Sequence, residues 1–77
     1  MEELLRFIAK SLVDDPEAVQ VSAKEDGDSV ILELSVASAD MGKVIGRQGR
    51  IAKAIRTVVK AGSVKENKKY MVEIVEQ

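Results

Sequence analysis

Apolar residues recur at helical spacing from the first turn of the chain: Leu4, Leu5, Ile8 and Leu12, with Arg6 and Lys10 opposite. Glu2 and Glu3 sit where carboxylates favour a helix start, and Asp14-Asp15-Pro16 predicts a stop near Val13. Phe7 falls off the stripe, so it is expected to be half exposed or to meet a partner. The period then changes to two. Val19, Val21 and Ala23 alternate with Gln20, Ser22 and Lys24, predicting a first strand. Val30, Leu32, Leu34 and Val36 alternate with Ile31, Glu33 and Ser35, predicting a second. Asp26-Gly27 is expected to form the two-residue hairpin loop between them, because both residues tolerate φ > 0.

Helical spacing returns further on. Asp40 is the expected N-cap of a short helix, Met41 to Ile45, closed by Gly46. A longer helix is predicted from Arg50 to Ala61, ended by Gly62. Ile51, Ile55, Val58 and Val59 fall on one side of it; Arg50, Lys53, Arg56, Thr57 and Lys60 fall on the other. Ser63 to Lys69 is polar and expected to be a mobile loop. A third strand follows, with Tyr70, Val72 and Ile74 inward and Met71, Glu73 and Val75 outward. Three strands with one apolar face each need a single covering layer, which three helices can supply. The expected architecture is therefore an α+β two-layer sandwich, order α-β-β-α-α-β, with strand order and direction left open.

At 77 residues there is room for one domain only. A domain of this size buries only roughly 60% of its unfolded-chain surface, which makes dimerisation a reasonable way to cover more. The absence of cysteine and histidine removes disulfides, thiolate sites and the usual general base, so neither an enzyme nor a metal or cofactor is expected. The acidic start and the lack of a long apolar run predict a cytoplasmic protein with no membrane segment. Asp14 and Asp15 have no third carboxylate to converge with and read as a solvated turn.

The net charge of −1 hides a division. Residues 1–42 carry three basic side chains against ten acids, a balance of −7; residues 43–77 carry nine against three, a balance of +6. No acid occurs between Met41 and Lys65. A field this lopsided attracts a polyanion locally while the whole chain stays near neutral. At its centre lies the run from Val44 to Ile55, VIGRQGRIAKAI. Gly46 and Gly49 bracket Arg47 and Gln48, so the backbone can bend and another chain can come close. Free N–H groups at the start of the following helix suit a phosphate, with Lys43, Arg50 and Lys53 nearby.

This run, with its flanking apolar residues Val44, Ile45, Ile51 and Ile55, resembles the signature of the KH domain, whose G-x-x-G loop joins two helices. With the small size, the run DMGKVIGRQGRIAKAIRTVVKA and the ending VEIVE, the chain resembles the KhpA family of small bacterial KH proteins. The resemblance implies one type II KH domain over residues 1–77, with three helices on one face of a mixed three-stranded sheet. It implies single-stranded RNA as the ligand, with single-stranded DNA also open, and a role as post-transcriptional regulator or RNA chaperone. Homodimers, or pairing with a KhpB/Jag-type KH protein, are the implied assemblies.

Carried across by position, Gly46 and Gly49 are the paired glycines, and Arg47 and Gln48 the inner residues facing the sugar-phosphate backbone. Val44 and Ile45 end the helix before the loop; Ile51 and Ile55 begin the helix after it. The nucleic-acid-binding set expected is Lys43, Val44, Ile45, Gly46, Arg47, Gln48, Gly49, Arg50, Ile51 and Lys53. The opposite wall of the groove would be an edge strand, the third. Bases would rest on aliphatic side chains, since Phe7 and Tyr70 are assigned to the core or its edge. Two other readings compete with this one. G-x-x-x-G-x-x-G over Gly42, Gly46 and Gly49 is neither a Rossmann fingerprint nor a P-loop. A protein-interaction module with incidental nucleic-acid binding is the stronger one, with Phe7, Met41, Ile31 and Met71 as exposed apolar candidates.

Overall fold

The computed structural model describes residues 1–76. The elements are α1 (Glu2–Leu12), β1 (Gln20–Asp26), β2 (Ser29–Val36), α2 (Met41–Ile45), α3 (Arg50–Glu66) and β3 (Lys69–Glu76), with single 3₁₀ turns at Pro16–Ala18, Ser38–Asp40 and Arg47–Gly49. The sheet order is β1-β2-β3. β1 pairs antiparallel with β2, and β3 pairs parallel with β2, so the sheet is mixed. This is the type II KH arrangement of helices and strands.

β2 is the spine of the molecule. Val30, Leu32, Leu34 and Val36 are buried at alternate positions, as the period-two pattern requires when helices cover one face. Tyr70, Val72 and Ile74 of β3 lie opposite Val30, Leu32 and Leu34 on the same inner face. Each full burial of a leucine or valine here contributes about 1.5–3 kcal/mol. β1 takes little part: Val21 is half-buried, but Ala23 is exposed. Val19 is buried from the turn before the strand rather than from within it.

The hairpin loop is Gly27-Asp28, not Asp26-Gly27; Asp26 is the last residue of β1 and pairs with Ser29. Gly27 has φ +63 at the first central position, and Asp28 is not among the residues with positive φ. That is the φ signature of a II′ turn, which needs only one glycine.

Both long helices are rotated slightly from their expected stripes. α1 buries Leu5 and Ala9, while Leu4 is exposed and Ile8 and Leu12 lie at the margin. Phe7 is 70% exposed, as its place off the apolar stripe implies, and stands clear of the core and its edge. α3 buries Ala52, Ile55, Val59 and Ser63, leaving Val58 outside.

α3 also runs past Gly62 to Glu66, where a loop from Ser63 was expected. Gly62 is spanned because its missing side chain is used: a Cβ there would stand 2.6 Å from Met1 Cε. Ser63 is buried and its hydroxyl donates to the Lys60 carbonyl at 2.7 Å. Asn67, left-handed at φ 56, is what stops the helix.

Candidate nucleic-acid interface

The corner between α2 and α3 owes its shape to three positive-φ residues among four. Gly46 has φ 76 and ψ 173, Gln48 φ 58 and Gly49 φ 73. Gly46 also sits directly on Ile51: a Cβ there would lie 2.6 Å from Ile51 Cγ1 and 2.9 Å from its main-chain nitrogen. The first glycine therefore serves conformation and close approach together. Gly49 has open space around it and serves conformation alone.

Some of the corner's amide hydrogens are used internally. The Gly46 N–H donates to the Gly42 carbonyl at 2.9 Å, the Gly49 N–H to the Gly46 carbonyl at 3.2 Å, and the Arg50 N–H to the Arg47 carbonyl. Among the described residues nothing accepts from the N–H groups of Arg47 or Gln48. Both residues are exposed, as are Arg50 and Lys53 on the first turn of α3. The corner thus holds two amide hydrogens without acceptors among the described residues, on exposed residues with cationic side chains on either side.

The other residues of the expected set have different surroundings. Val44 is fully buried and anchors α2 in the core. Ile45 is exposed beside the loop, and Ile51 is half-buried beneath Gly46.

Lys43 is engaged: its ammonium pairs with Asp14, and lies 3.5 Å from Asp40 Oδ1. Asp40 does not cap α2 with its side chain. Its carboxylate instead accepts the backbone N–H of Asp14 at 3.2 Å and of Asp15 at 3.1 Å, tying the end of α1 to the start of α2. Burial alone would push this carboxyl up, but the two amides and Lys43 outweigh it and hold it below its ordinary 3.8. The Lys43 ammonium is raised above 10.5, first by the bond to Asp14, against the opposing pull of desolvation, and further by Asp40. The anchoring role of Asp40 left no signal in the sequence, because a local N-cap explained the residue equally well.

α3 runs beside the free edge of β3, where Arg56 Nε donates to the Val72 carbonyl at 3.4 Å. The cleft between them holds a hollow of about 210 Å³ lined by Arg56, Lys60, Tyr70, Met71 and Val72. Arg56 and Lys60 continue the row begun by Lys53 at helical spacing, which is how they could have been found from the sequence. Tyr70 is half-buried, and its hydroxyl donates to Glu66 Oε1 at 3.1 Å. Burial, then this bond, raises its pKa above 10.0.

A different surface lies between α1 and α3. There an apolar hollow of about 360 Å³ is lined by Ile8, Leu12, Ile51, Ala54, Ile55 and Val58, with Arg50 at its margin. Among the described residues no group of three or more His, Cys, Asp or Glu could hold a metal, and no helix is long and apolar enough to cross a membrane.

A family model described as KhpA/KhpB, KH domain, matches residues 2–74. The chain is 67% identical to the RNA-binding protein KhpA of Clostridium acetobutylicum over 97% of its own length and all of that protein's. It is 65% identical to the KhpA of Clostridium perfringens over the same shares. It is 54% identical to that of Listeria monocytogenes over 99% of its length and all of the relative's. Among solved structures, Aquifex aeolicus Era bound to GDP and an aluminium fluoride superposes with a TM-score of 0.64 at 15% identity, covering 97% of this chain and 29% of that one. At that identity the likeness concerns the fold alone.

Proposed function

Since this chain belongs to the KhpA/KhpB family of KH-domain proteins, we propose that it binds single-stranded RNA as a single KH domain in the cytoplasm, acting as a post-transcriptional regulator or RNA chaperone. The observation that carries this reading is the corner itself. The N–H groups of Arg47 and Gln48 have no partners among the described residues and lie at the head of α3, where a partial positive charge already favours phosphate. Gly46 and Gly49 let a sugar-phosphate chain approach, and Arg47, Arg50 and Lys53 supply charge. Ile45 offers apolar surface at the rim, while Val44 and Ile51 hold the corner from below. Lys43 joins the phosphate contacts by exchanging Asp14 for the ligand.

A groove of this kind takes about four nucleotides, so affinity is modest. The logarithm of the binding constant should fall with the logarithm of salt by roughly 0.7 per phosphate contact. Replacing Arg47 and Gln48 together by Asp should abolish RNA binding and barely move the thermal transition, because both side chains are solvated. Equal binding by that variant at equal salt would place the ligand elsewhere. Running the matching DNA strand beside the RNA reveals whether the 2′-hydroxyl is read.

A second reading concerns assembly. The apolar hollow between α1 and α3 is what favours a homodimer, or a heterodimer with a KhpB-type KH protein. Leu4, exposed one turn before Ile8, lengthens the apolar row. This face lies on the α1 side of α3 rather than at the β3 cleft, and it meets the glycine corner at Arg50 and Ile51. Two clefts on one dimer would raise apparent affinity through effective concentration. Sedimentation of the wild type against Val58→Asp decides the point: a monomeric wild type removes the homodimer.

A further inference from the structure

The cleft between α3 and β3 contains the chain's single tyrosine, and the way that ring is held suggests more than packing. The hydroxyl of Tyr70 is fixed by Glu66, and the half-buried ring lines the 210 Å³ hollow together with Arg56, Lys60, Met71 and Val72. Arg56 is pinned along the strand by its bond to the Val72 carbonyl. Among the described residues neither Arg56 nor Lys60 has a carboxylate partner, and Glu66, the acid bonded at this site, is occupied by the tyrosine. Arg56 and Lys60 stand six and ten residues beyond Arg50, about 9 and 15 Å along the helix from the glycine corner. An aromatic face flanked by two unpaired cations, downstream of a phosphate-binding corner, matches the composition of a single-strand stacking site.

We propose that this hollow is a stacking subsite for one nucleobase of the bound strand, with the Tyr70 ring as its floor and Arg56 and Lys60 holding the adjoining phosphates. The inference rests on the reading above that the corner binds a single strand, and extends that strand along α3. It replaces the expectation that bases find only aliphatic surface. An acidic peptide would also meet the two cations but would leave the ring idle, and the experiment separates the two.

Because the chain has one tyrosine and no tryptophan, its intrinsic emission reports this ring alone. Titration of the wild type with an eight-nucleotide single-stranded RNA should quench that emission along the binding curve. Tyr70→Leu should weaken binding about tenfold, within the range for one lost stacked base, with the salt slope unchanged. Tyr70→Phe, which keeps the ring, should bind like the wild type. Lys60→Gln should instead lower the salt slope by about 0.7. Saturation without any change in tyrosine emission overturns the subsite, and needs no variant to fold. Equal binding by a folded Tyr70→Leu also overturns it; in both cases the corner keeps its role. A wild type that binds no RNA removes both readings.

Discussion

Replacing Gly46 by Ala separates two demands that the corner places on one residue. With φ 76 and ψ 173, Gly46 lies in a region that is essentially closed to side chains, at a cost of about 1–3 kcal/mol. The new Cβ would also stand 2.6 Å from Ile51 Cγ1, 2.9 Å from Ile51 Cβ and 2.9 Å from Ile51 N. The last two are not the loose end of a side chain, so the corner must open. Overpacking of this kind typically costs about 1–3 kcal/mol more. The total, about 2–6 kcal/mol, compares with about 4–12 kcal/mol for the whole domain by the usual stability per residue. At about 4–8 °C per kcal/mol, the thermal midpoint should fall by at least about 8 °C. Gly49→Ala meets nothing within 4 Å and should cost only about 1–2 kcal/mol, the price of a left-handed alanine. Urea unfolding of both variants is the assay, read as the shift in midpoint at constant slope. Adding Ile51→Ala to Gly46→Ala should cost less than Ile51→Ala alone, since it removes the nearest of the clashing atoms. Equal midpoint shifts for the two glycine variants would refute the reasoning.

Acid should act through Asp40. Its folded pKa is depressed, so its stabilisation is present above the unfolded value and lost as pH falls through the folded one, below 3.8. Melting across pH should show that arm in the wild type; Asp40→Asn should melt lower at neutral pH and lack it. Lys43 works in the opposite sense: its raised pKa gives stability that is complete below 10.5 and lost as pH climbs beyond. Asp14→Asn should shrink the alkaline loss, and an unchanged alkaline limb would mean the Asp14 pair adds nothing to stability. Gly62→Ala should be neutral or raise the melting temperature by a few degrees, because alanine gains up to about 1 kcal/mol in a helix interior. The atom it meets is the flexible end of Met1, which can swing aside. A fall of more than about 1 kcal/mol would show that Met1 is held in place.

What could be read in the chain beforehand was whatever depends on period. The alternation through β2 places Val30, Leu32, Leu34 and Val36 inside without ambiguity, and the order of elements follows from changes of period along the chain. What could not be read depends on neighbours distant in sequence. Gly62 looked like a stop because glycine ends helices more often than it packs against an N-terminal methionine. Asp40 looked like a cap because its partners, the amides of Asp14 and Asp15, lie more than twenty residues away. The hairpin slipped by one position because Asp-Gly and Gly-Asp both make acceptable two-residue turns. At the corner, the need for glycine was legible but the reason at Gly46 was only half so: Ile51, five residues on, supplies the rest. The cleft partner Tyr70 was assigned inward by alternation alone, which says nothing about how much of a ring is left uncovered at a sheet edge.

β3 adds to the sheet only by lying parallel to β2, and 32 residues separate the end of one strand from the start of the other. Every one of those residues belongs to the crossover that carries α2, the corner and α3. Docking of the last strand therefore closes the whole of that segment at once, and a non-local pairing of that span is the slow kind of step in folding. The bend from Gly46 to Gly49 thus lies inside the segment whose ends the pairing of the last strand must bring together, and stiffening or loosening it should alter how quickly that pairing forms.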